Sequence, residues 1–233
     1  MIILENTYIR YKVMNIINKL LANYRKKTLN NTNFSIISNN CWGGCAYSYY
    51  GLPYLSPTVG CYIFADDYLK FIKNLRYYLS LDLQFITYKE SRYKESLETR
   101  NHTNVPIGKL DDVEIVFLHY KDEKEAAEKW KRRKKRVNFD NIILKFSQQN
   151  MCTEEHLKEF DNINFDKKMM FVNREREEYS SSIYYHGYEN SDGVFNDTKF
   201  FYDYMNLTEF LNSPVSKYPQ NLFDETGSEF YHD

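Results

Sequence analysis

The sequence predicts an α/β fold: a mostly parallel or mixed sheet covered by helices on both faces, with an antiparallel addition at its C-terminal edge. Three observations carry this. Short apolar runs alternate along the chain with amphipathic runs at helical spacing, the order that a parallel sheet with crossover helices requires. Val113–Leu118 is near-continuously apolar, as strands buried on both faces are. Beyond residue 175 the β-like runs shorten and are punctuated by Gly187 and Gly193, a hairpin pattern.

The elements follow in order. Residues 8–29 read as a helix, because Ile9, Val13, Ile16, Ile17, Leu20 and Leu21 share one helical stripe. A helix packed on the domain is expected, with a dimer-forming helix as the alternative. Phe34–Ser38 is a strand that ends abruptly in Asn39-Asn40-Cys41-Trp42-Gly43-Gly44. Val59–Phe64 is a second buried strand. Asp66 and Asp67 suit the start of a helix over Tyr68–Leu79, which favours capping over a metal-binding role for these carboxylates. Leu83–Thr87 is a short strand, and the charged, aperiodic residues 88–104 form a surface loop or lid. Val113–Leu118 is a central strand ending at His119-Tyr120. A helix from Asp122 to Arg136 follows, then a strand over Ile142–Phe146. Thr153-Glu154-Glu155 starts a helix to about Phe160, and Lys168–Asn173 is a further strand. Ser181–Tyr185 and Lys199–Tyr204 are β-like, Leu207–Leu211 is a short helix, and the tail from Asn212 is expected to pack loosely.

A chain of 233 residues, 42% hydrophobic and 27% charged, fits one domain over residues 1–233. Its parts are an N-terminal helix within 1–30, a core over 31–175 and a C-terminal edge extension over 176–233. The net charge of −1 gives nucleic acid no bulk electrostatic attraction. No run approaches the roughly 18 apolar residues of a membrane span, and Met1–Glu5 lack a signal-peptide pattern. The four cysteines, Cys41, Cys45, Cys61 and Cys152, lack the paired spacing of a zinc site. They are expected to be reduced thiols of a cytoplasmic protein.

Ligands of open α/β sheets bind outside the carboxyl ends of the strands. Two sharp motifs fall there: Asn39–Gly44 and His119-Tyr120. In the first, Asn39, Asn40, Trp42, Gly43 and Gly44 are candidate ligand-binding residues, because consecutive N–H groups in such a turn can hold an anion. Cys41 is a candidate nucleophile and His119 a candidate base. The competing reading is a turn with Trp42 plugging the core. Trp130, Arg133 and Val137 share one helical face, so Arg133 is a candidate inward anion clamp, with a salt bridge to Asp140 as the alternative. No phosphate-loop or dinucleotide fingerprint is present, no metal is expected, and the sequence names no cofactor.

These motifs together resemble a bacterial domain-of-unknown-function family often labelled exopolysaccharide biosynthesis protein. The resemblance rests on Phe34-Ser-Ile-Ile-Ser-Asn-Asn-Cys-Trp-Gly-Gly44 and Gly51-Leu-Pro-Tyr-Leu-Ser-Pro-Thr-Val-Gly60. It continues through Val113-Glu-Ile-Val-Phe-Leu-His-Tyr120, the Ala127–Asn138 run with Lys129-Trp130 and Arg133, and Phe139-Asp-Asn-Ile142. It covers roughly residues 30–175 and implies an α/β protein of capsule or glycan gene clusters. The resemblance implies a sugar substrate, and the expected activity is that of an enzyme transferring a substituent to a sugar or handling an activated sugar; the alternative is a non-catalytic carbohydrate-binding or scaffold protein of the same pathway.

Overall fold

Two four-stranded sheets, rather than one, organise the chain. The computed structural model describes residues 2–219, and side chains from Val13 onward apart from residue 15. In chain order the strands are β1 (Ser35–Ser38), β2 (Tyr62–Ile63), β3 (Gln84–Ile86), β4 (Ile107–Leu110), β5 (Val113–Val116), β6 (Ile142–Ser147), β7 (Lys168–Val172) and β8 (Ser182–Tyr184). The first sheet is parallel in the order β1-β6-β7-β8, and the second is antiparallel in the order β2-β5-β4-β3. The second sheet is thus inserted between β1 and β6. The sheets meet where the Asn39 carbonyl accepts the Ile63 N–H at 3.0 Å.

Alternation along β6 sets the layers. Ile142, Leu144 and Phe146 face a core shared with helices α3 (Ala65–Lys73), α6 (Glu123–Lys134) and α7 (Glu154–Asn162). Ile143 faces the opposite core, built with helices α2 (Trp42–Tyr49) and α8 (Leu207–Asn212). The parallel sheet is therefore covered on both faces, as an α/β fold requires.

The antiparallel pairing lies in the middle of the chain and not at the C-terminal edge. β8 runs parallel to β7 because it sets out from the same end: Ser180 and Ser181 N–H groups donate to Asp161, at the end of α7 that precedes β7. The β-like run Lys199–Tyr204 is instead a 3-10 turn, Phe201–Asp203. The helix expected over 68–79 breaks at Asn74 into α3 and α4 (Leu75–Ser80). Asp66 pairs with Lys70 on the surface. Asp67 caps nothing; it is buried, accepts the Glu114 N–H at 2.7 Å and pairs with Arg92. Burial pushes its carboxyl up to about 6. Residues 88–104 contain a helix, α5 (Lys94–Thr99), whose Leu97 is fully buried, and Ser91 is held by Glu114. That segment is latched to the second sheet. The tail also packs tightly as far as it is described: Tyr218 is buried, and its hydroxyl donates to the Ile72 carbonyl at 2.7 Å. The remainder of the tail lies outside the described residues.

Helix α1 (Ile2–Lys26) departs most from expectation. It docks through Asn18, Ala22 and Arg25, the last stacked 3.8 Å above the Tyr49 ring. Its apolar stripe is not packed on the domain: Val13, Ile16, Ile17, Leu20 and Leu21 are all exposed. Ile9 lies outside the described side chains. Among the described residues no helix is long and apolar enough to cross a membrane.

Candidate functional site

The carboxyl ends of β1 and β6 converge on one buried polar network. Asn39 joins the two strands past the end of their ladder: its Nδ2 donates to the Ser147 carbonyl and its Oδ1 accepts the Ser147 N–H, both at 2.9 Å. Asn40 directs its Nδ2 to both oxygens of Asp197 at 2.9 Å. Its Oδ1 accepts the Trp42 N–H at 3.1 Å, the bond that opens α2. These two asparagines, read from the sequence as facing a cleft, are buried scaffolding. Trp42 is buried as well, edge-on to Phe171 and Phe201. Gly43 is buried against Ile36. At Gly44 a Cβ would sit 3.0 Å from Val59 Cγ1, so the glycine lets α2 pack closely there.

Lys145 is the centre of the network and escaped the sequence reading. It occupies β6 on the Trp42 side, fully buried, with Nζ donating to Asp197 Oδ2, to Ser147 Oγ and to Asn40 Oδ1. The ammonium lies 4.6 Å from the Phe171 ring centroid. Burial lowers its pKa and the Asp197 carboxylate opposes that shift. A usable signal was present: a lysine inside Ile142-Ile143-Leu144-Lys145-Phe146 has no route to solvent and demands a buried acid. Asp197, in Asn196-Asp197-Thr198, carried no such mark.

In front of this network opens a cavity of ≈ 580 Å³. Cys41, Cys45 and Gly44 of the α2 start line it, with His119, Tyr120 and Arg133 from the far side. Residues 198–202 form another wall, fixed at its start by the Asp197–Lys145 pair. Asn18 and Lys19 of α1 contribute as well. The structure therefore brings Cys41, Gly44, His119 and Arg133 to one cavity and leaves Asn39, Asn40, Trp42 and Gly43 behind its wall.

The chemistry of these groups differs. Cys41 Sγ donates to the Cys61 carbonyl at 3.6 Å. Burial, then the Cys45 and Asp197 charges, push the Cys41 thiol up to about 12. Burial pushes Cys45 up to about 11. Thiols of this kind stay protonated at neutral pH. Alkylation of Cys41 and Cys45 by iodoacetamide near neutral pH is expected to run at least about a hundredfold slower in the native chain than in urea. Peptide mass spectrometry checks this; equal rates would show that burial does not hold these thiols protonated, and a faster native reaction would show that one is activated. His119 lies past the end of β5 with an exposed side chain, its backbone N–H held by the Gly60 carbonyl at 3.1 Å.

Arg133 points inward as the helical spacing requires. It is buried and donates from Nη1 to the Val59 carbonyl at 2.9 Å and to Tyr120 Oη at 2.5 Å. Asp140 is not its partner; that carboxylate pairs with Lys217 at 3.3 Å. Among the described residues Arg133 has only neutral hydrogen-bond acceptors, so a buried guanidinium lines the cavity without a carboxylate. No group of three or more His, Cys, Asp or Glu residues that could hold a metal ion occurs among the described residues.

The chain is 30% identical over 187 residues, 78% of its own length and 84% of the relative's, to a Haemophilus influenzae protein described as uncharacterized. The model of the DUF1919 domain of unknown function matches residues 12–213. That match reaches beyond residues 30–175 in both directions and takes in α1 from residue 12 onward, Lys145 and Asp197 together with the cavity-lining residues. By this match, the chain belongs to the DUF1919 family, a domain of unknown function.

Proposed function

We propose that the cavity binds an activated sugar through its anionic group, and that the protein transfers a substituent to or from that sugar in surface or exopolysaccharide biosynthesis. One observation carries the anionic part: the buried Arg133 guanidinium lines the cavity with no carboxylate beside it among the described residues. A buried cation of this kind is relieved by a phosphate or carboxylate of the ligand. Lys19 and Lys129 line the same cavity. Tyr54 and Tyr202 line it as well, aromatic rings with polar edges of the kind suited to a sugar or a base. The resemblance to a family of capsule and glycan genes supports the sugar. His119 serves as the base. Cys41 lines the cavity with its thiol pushed up by burial, which disfavours the thiolate a nucleophile needs. The four free cysteines accord with a reducing cytoplasm.

A second reading, a non-catalytic carbohydrate-binding or scaffold protein of the same pathway, draws on one feature. Trp42 is packed into the core directly behind Cys41, as expected of a closed strand edge. Thermal-shift measurements on the full chain with nucleotide sugars, sugar phosphates and neutral oligosaccharides test both. The expected result is stabilisation by the anionic sugars alone. Stabilisation by neutral oligosaccharides only, or by none of them, would overturn the proposal. With a binding sugar in hand, His119→Ala is expected to keep binding and to abolish turnover; absence of turnover in the unmodified chain would favour the scaffold.

A further inference from the structure

Surface helices ordinarily bury their apolar stripe and turn polar residues to water. Helix α1 is mounted the other way round. Asn18, Ala22 and Arg25 face the domain, whereas Leu20 is 76% exposed, Ile16 62% and Val13 48%. Ile17, Leu21 and Tyr24 extend the exposed strip. Six large side chains on one helical face form a contiguous apolar surface of the kind that marks an interaction site.

Charge identifies the occupant. Residues 1–28 contain Arg10, Lys12, Lys19, Arg25, Lys26 and Lys27 against a single acid, Glu5, in a chain whose net charge is −1. Lys19 and Lys26 are seven residues apart and so fall on one line along the helix, bordering the apolar strip. A helix with an apolar strip edged by cations, too polar to span, is built to lie in a membrane interface. Its lysines can reach lipid phosphates while its aliphatic residues enter the acyl boundary. A second copy of the chain fits less well. Two-fold pairing sets identical surfaces against each other, here two strongly basic helices, whereas an anionic bilayer meets the same cations with opposite charge. We infer that the outward face of α1 is a docking surface for an anionic lipid bilayer, on which the helix lies parallel to the membrane plane.

Asn18 and Lys19 of α1 also line the cavity, so docking would hold that cavity beside the headgroup layer. The docking inference stands independently of what the cavity binds.

Flotation of the full chain with vesicles tests it, using phosphatidylcholine alone or mixed with phosphatidylglycerol. Binding to the mixed vesicles is expected to exceed binding to neutral ones by about tenfold or more and to fall in high salt. Ile16→Ser combined with Leu20→Ser is expected to lower binding to the mixed vesicles about tenfold or more. Both positions face solvent, so circular dichroism should show the variant folded. Absence of flotation with either vesicle, equal flotation with both, or full binding by the double variant would overturn the inference. So would a dimer in analytical ultracentrifugation that the double variant dissolves, in a chain that does not float; the second copy would then be the occupant.

Discussion

Lys145→Met is expected to destabilise the protein by about 3–5 kcal/mol, the range for removing one partner of a buried ion pair. Methionine keeps the unbranched shape of the side chain up to Cε and suits the aromatic surroundings of Phe171 and Trp42. Packing therefore changes little, and the loss is electrostatic. Asp197 would remain buried, with Asn40 and Ser147 as its remaining donors and no cation. Urea unfolding followed by circular dichroism measures the change. Lys145→Met combined with Asp197→Asn is expected to recover at least about 2 kcal/mol relative to the sum of the single variants. A loss under about 1 kcal/mol, or strict additivity, would mean that the pair is not the keystone its geometry implies. The single variants should also loosen the start of the 198–202 wall, because Asp197 is one of the points at which it is fastened, alongside the Tyr185 hydroxyl on the Lys199 carbonyl.

Arg133→Met is expected to weaken binding of an anionic sugar by about 10–100-fold, the worth of one to two charge-assisted hydrogen bonds. Its cost to stability should be smaller, about 1–2 kcal/mol, because Tyr120 Oη still donates to the Val59 carbonyl at 2.6 Å after the guanidinium is gone. The two effects separate the roles. A purely structural arginine would lower the melting temperature and leave affinity for the ligand unchanged. Arg133→Lys should restore little, since an ammonium offers a point charge where the guanidinium offers a planar fork. Isothermal titration with whichever nucleotide sugar or sugar phosphate stabilises the chain provides the measurement.

Much of the fold was legible because local chemistry decides it. Asp122 starts α6 as its side chain accepts the Glu125 N–H at 2.8 Å, and Thr153 starts α7 in a capping box closed by His156. The runs at β1, β5 and β6 are apolar enough to be strands and little else. Pairing is another matter. Nothing in Tyr62-Ile63 names Val116 and Ile115 as partners, so the second sheet was invisible. Periodicity likewise located the stripe of α1 but not the direction it faces. At the candidate site, the strand-end rule picked out Cys41, Gly44 and His119, which line one cavity, and helical spacing turned Arg133 inward. Asn39 and Asn40 lie behind the cavity wall instead, because an asparagine that faces a cleft and one that prolongs a ladder have the same sequence signature.

The insertion of the second sheet between β1 and β6 has a consequence for how the chain is made. Asn39 and the Ser147 it joins are 108 residues apart in sequence. Contacts at such separation are slow to form, since the intervening chain must be ordered before they can. The β4–β5 hairpin closes through Asp111 and needs no distant segment. A chain leaving the ribosome thus releases its first strand long before the partner exists, and completes the inserted sheet in the meantime. The strand synthesised first is among the last to be paired.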